Sequence, residues 1–253
     1  MNKQYLEQIA KRVFPPPTQV WLKTQWHTYR HYLPLVNVQM GDFRHLKPVN
    51  AGWGFERGQP IDRYYIENFL ARQANDIRGR ALGIGDDYYI QTFGKDRVTK
   101  TDVLHIEEHP NATIVADLTT ADPIPSDTFD CFLLVQTLQL IYEVRLALKT
   151  TYRIMKPGGV VLATFPGITP LKDEEWNSCW CWNFTALSAQ RLFEEVFPRE
   201  NIRIEIHGNA LAATAFLQGL AVQDLRKGKL DYTDPSYPVI ITVRAVKPEE
   251  ILT

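Results

Sequence analysis

Phe129-Asp130-Cys131-Phe132-Leu133-Leu134-Val135-Gln136 is an almost unbroken apolar run of strand length. A strand wetted on one side alternates polar and apolar residues, so a continuous run predicts a strand buried on both faces, as in a parallel sheet sandwiched by helices. Beyond it, Val144 to Met155 has helical periodicity and stops at Lys156-Pro157-Gly158-Gly159, where proline and glycine end helices. Val160 to Phe165 is the next strand. Strand, helix and strand in succession predict a crossover unit of an α/β sheet.

Working outward, Ile61, Tyr65, Ile66, Phe69 and Leu70 recur at helical spacing and predict an amphipathic helix to about Asn75. Arg80 to Ile84, Arg97 to Val103 and Ala112 to Ala116 read as three further strands, and Tyr88 and Tyr89 start a helix after the first. Downstream, Thr185 can N-cap a helix through about Phe197. Ile202 to His207 is a strand, Ala210 to Arg226 a helix and Val239 to Val246 a last strand. The expected fold class is α/β: a seven-stranded, mostly parallel sheet with helices on both faces. Residues 1–60 differ in character and are expected to form an N-terminal helical and irregular cap on a main domain of residues 61–253. They hold Pro15, Pro16 and Pro17, a helical stretch around Thr18 to Tyr32, and a Gly- and Pro-rich stretch from Met40 to Pro60. Trp21, Trp26 and Trp53 need burial, which predicts packing on the main domain.

The totals exclude several function classes. The 253 residues are 45% hydrophobic and 23% charged, with a formal net charge of -1 and no run of five or more basic residues. Nucleic acid and anionic membrane surfaces are therefore not expected partners. Cys131, Cys179 and Cys181 are an odd, low count, read as free thiols in a reducing compartment. Met1 to Arg12 is polar and charged, without a signal-peptide core, and no apolar stretch reaches membrane-span length. A cytoplasmic location is the expectation, and there the glycosylation-like triplets at Asn111 and Asn183 are idle.

In an open parallel sheet, ligands sit beyond the carboxyl ends of the strands. The turn after the first of these strands is Gly83-Ile84-Gly85-Asp86-Asp87, where glycine lets backbone N–H groups approach a ligand. Asp102, 17 residues past Gly85 and followed by Val103, is placed to accept both hydroxyls of a ribose. At the end of the third strand, Asp117 can accept from an adenine amino group while Leu118 covers the ring.

Together these residues resemble the class I S-adenosylmethionine-dependent methyltransferases, whose fold is Rossmann-like. The resemblance runs from about Gly79 to Phe165. It takes in Leu82 to Asp87, Asp102, Asp117-Leu118, Phe129-Asp130 and the turn Arg153-Ile154-Met155-Lys156-Pro157-Gly158-Gly159. Arg57-Gly58-Gln59-Pro60-Ile61-Asp62-Arg63-Tyr64-Tyr65 and Trp182-Asn183-Phe184-Thr185 look like segments of small-molecule members, some of which accompany glycosyltransferases. The resemblance implies S-adenosylmethionine as cofactor and O-methylation of a small molecule such as a sugar or natural product. The family's acidic residue is replaced by Gly83 and one of its glycines by Asp87, which motivates an alternative: a methyltransferase-like binding protein without catalysis. Under either reading, Arg63 or Tyr64 is expected to supply cofactor contacts that the altered turn has lost.

Gln136-Thr137-Leu138-Gln139 follows the strand where the family's methyl donor and acceptor meet, so Gln136 and Thr137 are candidates for either ligand. Trp176, Trp180 and Trp182 are expected as an aromatic lid over the substrate, with cation–π contact to a sulfonium. His207, at a strand end, is the candidate general base, while His27, His31 and His45 fall in the cap. His105-Ile106-Glu107-Glu108-His109 matches a zinc-peptidase string, but that chemistry needs both histidines on one helix face and Pro110 follows at once; no metal is expected.

Overall fold

The computed structural model describes residue 41, residues 45–226 and residues 228–249. The expected helix around Thr18 to Tyr32, with Trp21, Trp26, His27 and His31, lies outside the described residues.

The compact unit Lys47–Thr253 holds the sheet. Its elements, in chain order, are α1 (Ile61–Arg72), β1 (Gly79–Ile84), β2 (Val98–His105), β3 (Ile114–Val115), β4 (Phe129–Val135), α2 (Val144–Ile154), β5 (Met155–Pro166), α3 (Glu174–Cys179), α4 (Ala186–Glu194), β6 (Ile202–His207), α5 (Ala210–Leu217) and β7 (Ile240–Val246). The sheet order is β3-β2-β1-β4-β5-β7-β6. β1 pairs in parallel with β2 and β4, and β4 with β5, whereas β7 runs antiparallel to both β5 and β6. This is the α/β, mostly parallel seven-stranded sheet expected from the alternation of elements.

The apolar run of β4 is explained by two cores, one on each face of the sheet. Phe132 and Leu134 enter a cluster with Val144 and Leu148 of α2 and Phe193 of α4. Cys131 and Leu133 enter the other with Ile66 and Phe69 of α1 and Phe216 of α5. Strand side chains alternate faces, so a strand buried on both sides carries apolar residues at every position. β5 repeats the pattern, with Val161 and Ala163 on one side and Val160 and Leu162 on the other. Phe132 and Phe193 are fully buried; truncating such a ring to alanine costs about 3–5 kcal/mol.

Local chemistry sets the ends. Thr185 caps α4 as expected: its side chain accepts from Ser188 N, and Ser188 Oγ accepts from Thr185 N. α5 stops at Leu217, well short of Arg226. Gly219 has φ +67, its N–H donates to Phe216 O and Leu220 N–H reaches back to Ala215 O. That double bond around a left-handed residue closes a helix, and glycine takes the conformation without cost. Two strands differ from expectation: β3 shrinks to Ile114–Val115, and β2 runs on through His105. None of the described helices is long and apolar enough to cross a membrane.

Candidate active site

A cleft of about 770 Å³ opens where the carboxyl ends of β1, β4 and β5 converge, within the usual range for small-molecule sites. Gly83, Ile84 and Asp86 of the β1 turn, Val135, Gln136 and Gln139 after β4, and Trp176 and Trp180 line it. Trp53 and Phe55, from the segment leading into α1, and Asp62, Arg63 and Glu67, on α1 itself, also line it. That segment is held by side chains. Arg57 grips Asp224 through two bonds of 2.8 and 2.7 Å, Gln59 N–H donates to Gln223 Oε1 at 2.9 Å, and Trp53 Nε1 donates to Pro170 O at 3.0 Å.

The turn after β1 is built for close approach. Gly85 has φ +78, and a Cβ built there would meet nothing within 4 Å, so open space stands over the backbone. A nucleoside-type ligand fits such a cradle. Gly83 is a packing requirement: a Cβ there would lie 2.6 Å from Asp86 O. The acidic side chain that the resemblance leads one to look for at 83 is therefore sterically excluded. Asp86 accepts from Tyr88 N at 3.0 Å and starts the helical turn that passes into a π-helix at Ile90–Gly94; Asp87 Oδ2 accepts from Gln91 Nε2 at 3.1 Å.

Of the candidates read from sequence, the structure brings Asp86, Arg63, Gln136, Trp176 and Trp180 to this cleft, with Gly85 in its turn. The others lie elsewhere. Asp102 is in mid-strand, level with Leu82, because β2 continues three residues beyond it. Its carboxylate is 5% exposed and committed to Arg80 Nε at 2.6 Å and Thr113 Oγ1 at 3.3 Å, so it is a buried structural charge and not a rim residue. Val103 is 4% exposed in the same strand. Leu118 is 5% exposed and packs in the core. Asp117 is exposed, and Oδ1 accepts from Thr119 N at 2.8 Å. Thr137 Oγ1 donates to Val135 O at 2.9 Å. Trp182 lies outside the cleft, stacked on Tyr142 at 5.6 Å with Nε1 donating to Ile141 O. Tyr64 faces a second groove on the other side of α1, where its hydroxyl donates to Asp231.

His207 lies in that second groove as well, so the cleft does not contain the candidate base. Its Nε2 meets Thr242 Oγ1 at 3.0 Å, its ring stacks on Tyr65, and burial, helped by Arg72, pushes its pKa down to about 4. The zinc-like string falls on a strand end and a loop instead of a helix, with the His105 and His109 rings stacked at 4.6 Å.

Sequence reading missed four cleft residues: Trp53 as a wall, Asp62 and Glu67 as charges, and Gln139. Burial raises the pKa of Asp62, whose carboxylate is 4.0 Å from Arg63 Nε; Glu67 accepts from Gln59 Nε2 at 2.7 Å. Gln139 is 1% exposed; its Nε2 donates to Gln136 Oε1 at 3.2 Å, and its Oε1 has no hydrogen-bond partner among the described residues. Asp62 was visible only as part of the string Arg57 to Tyr65, and Gln139 only as the last letter of Gln136 to Gln139.

Comparison with known proteins bears on the same elements. The family described as "Methyltransferase domain" matches residues 79–163, from β1 into β5. No curated protein matches the chain. Among solved structures, a SAM-dependent methyltransferase from Archaeoglobus fulgidus aligns at 14% identity over 73% of this chain and 94% of its own, with a TM-score of 0.50. A chain of the Haloferax volcanii complex between the Trm112 methyltransferase activator and a methyltransferase aligns at 10% identity, over 80% and 97%, also at 0.50. The [4+2]-cyclase SpnF aligns at 14% identity over 76% and 84%, at 0.49. The matched methyltransferase domain supplies the turn and strand ends that shape the cleft, and the fold is one shared with a SAM-dependent methyltransferase.

Proposed function

We propose that this enzyme O-methylates a small molecule, such as a sugar or natural product, in the cleft above β1, β4 and β5. The observation that carries the reading is that one continuous cleft joins the open Gly85 turn to the indoles of Trp176 and Trp180. Donor and acceptor can then lie end to end.

S-adenosylmethionine supplies an electrophilic methyl on a sulfonium. The chain's own task is to align and dry the reacting pair, since proximity and orientation account for much of the acceleration of an in-line displacement. The turn Gly83–Asp86 takes the nucleoside side. Arg63, on the first turn of α1, is the cleft cation suited to a carboxylate at the methionyl end. With Asp102 buried in an ion pair, the residue at the carboxyl end of β2 is His105, whose Nδ1 is buried without a partner among the described residues. We assign it the ribose side in place of Asp102. Gln139 Oε1 is the acceptor we assign to the substrate hydroxyl, because a buried, unpaired amide oxygen gains most from a donor. Trp176 and Trp180 exclude water from the acceptor.

The test is transfer of labelled methyl from S-adenosylmethionine to a panel of hydroxylated small molecules, with the product bond identified by mass spectrometry. An O-methyl ether lost in Gln139→Leu with an unchanged cofactor dissociation constant supports the proposal. Methyl found only on nitrogen, carbon or a macromolecule overturns it.

A further inference from the structure

The charge inside the cleft is lopsided. Asp62, Glu67 and Asp86 line it against the single guanidinium of Arg63 among the described residues. The methyl donor, with one sulfonium, one ammonium and one carboxylate, brings a single net positive charge. One negative charge then remains, shared among an exposed Asp86 and the partly buried Asp62 and Glu67, and it favours a second cation over an anion.

The aromatic wall points the same way. Trp53 meets Trp176 edge-on at 5.6 Å, and Trp176 meets Trp180 at 6.0 Å, so three indoles crowd the acceptor end. An ammonium already uses this wall: Lys172 Nζ stands 5.7 Å from the centroid of the Trp53 ring. Indole is the strongest of the aromatic partners for a cation. Lys172 is exposed and long, so its ammonium can withdraw into water.

We infer that the acceptor is a hydroxylated amine, whose ammonium takes the place of Lys172 on the Trp53 indole under the residual negative charge of the cleft. Carboxylated and phosphorylated acceptors are disfavoured by the same charge. The inference rests on the methyl-transfer reading of this cleft and deepens it by naming the acceptor class.

The experiment uses the full chain saturated with S-adenosylhomocysteine, whose binding is first established by its own heat. If the homocysteine compound does not bind, the methyl-transfer reading fails; if it binds, titration of acceptor probes tests the acceptor class alone. Three probes with the same ring, 2-phenylethylamine, 2-phenylethanol and 3-phenylpropanoate, are titrated by calorimetry. The amine is expected to bind about tenfold tighter than the alcohol, with the carboxylate weakest. Lys172→Met, a surface change that leaves the fold alone, is expected to tighten the amine about threefold by vacating the indole. Trp53→Leu is expected to level amine and alcohol. Equal affinities in the parent protein, a preference for the carboxylate, no binding of any probe at millimolar concentration, or an unmoved amine affinity in Lys172→Met would each overturn the inference.

Discussion

Replacing Asp102 by alanine separates a structural carboxylate from a ligand-binding one. Its carboxylate is 5% exposed, 2.6 Å from Arg80 Nε and 3.3 Å from Thr113 Oγ1, with Lys100 Nζ at 3.7 Å. Removing one partner from a fully buried ion pair costs about 3–5 kcal/mol. Here Arg80 is 33% exposed and lies over the Phe129 ring, 5.0 Å from its centroid. The freed guanidinium can therefore rehydrate, and the expected loss falls to about 2 kcal/mol. In a domain of this size that lowers the melting temperature by about 4–8 °C. The assay pairs thermal or urea denaturation with calorimetric titration of S-adenosylhomocysteine. The account predicts a less stable protein whose dissociation constant stays within about twofold of the parent. Full stability with lost affinity would refute the structural assignment and return Asp102 to the ligand.

His207 titrates near 6.5 when unfolded and about 4 in the fold, so the unfolded chain binds more protons between those values. Stability should therefore drop as pH falls from 6.5 toward 4, by up to about 3 kcal/mol, and this step should vanish in His207→Gln while methyl transfer persists; loss of activity in that variant would restore His207 as a base. Gly83→Asp, which introduces the acidic residue that the resemblance leads one to look for, drives a Cβ to 2.6 Å from Asp86 O; it should cost about 1–3 kcal/mol and weaken cofactor binding, and an improved affinity would contradict the packing argument. Thr185→Ala removes the α4 cap and should cost about 1 kcal/mol in chemical denaturation with cofactor affinity unchanged.

Periodicity carried the fold because burial forces it. The apolar run at β4, the helical spacing of α1 and the glycine-bounded ends of β1 and α2 each leave a mark in the order of residues. Positions within the site were less legible, and Asp102 shows why. A strand's end is set by its hydrogen-bonded neighbours; β2 gains three residues from pairing with β1 and β3, and the carboxylate thought to end it falls into the sheet. His207 ends a strand as read, but on β6 at the sheet edge, where His207 opens into a different groove. Trp53 and Glu67 reach the cleft through long-range pairings such as Arg57 with Asp224, which span 167 positions and leave no local pattern.

The most direct test is a calorimetric titration of the full chain with S-adenosylhomocysteine, repeated with Arg63→Met and His105→Ala. The account predicts one site per chain, with affinity reduced at least about tenfold in each variant while the fold is retained. Absence of binding at millimolar ligand, or binding indifferent to both changes, would contradict it.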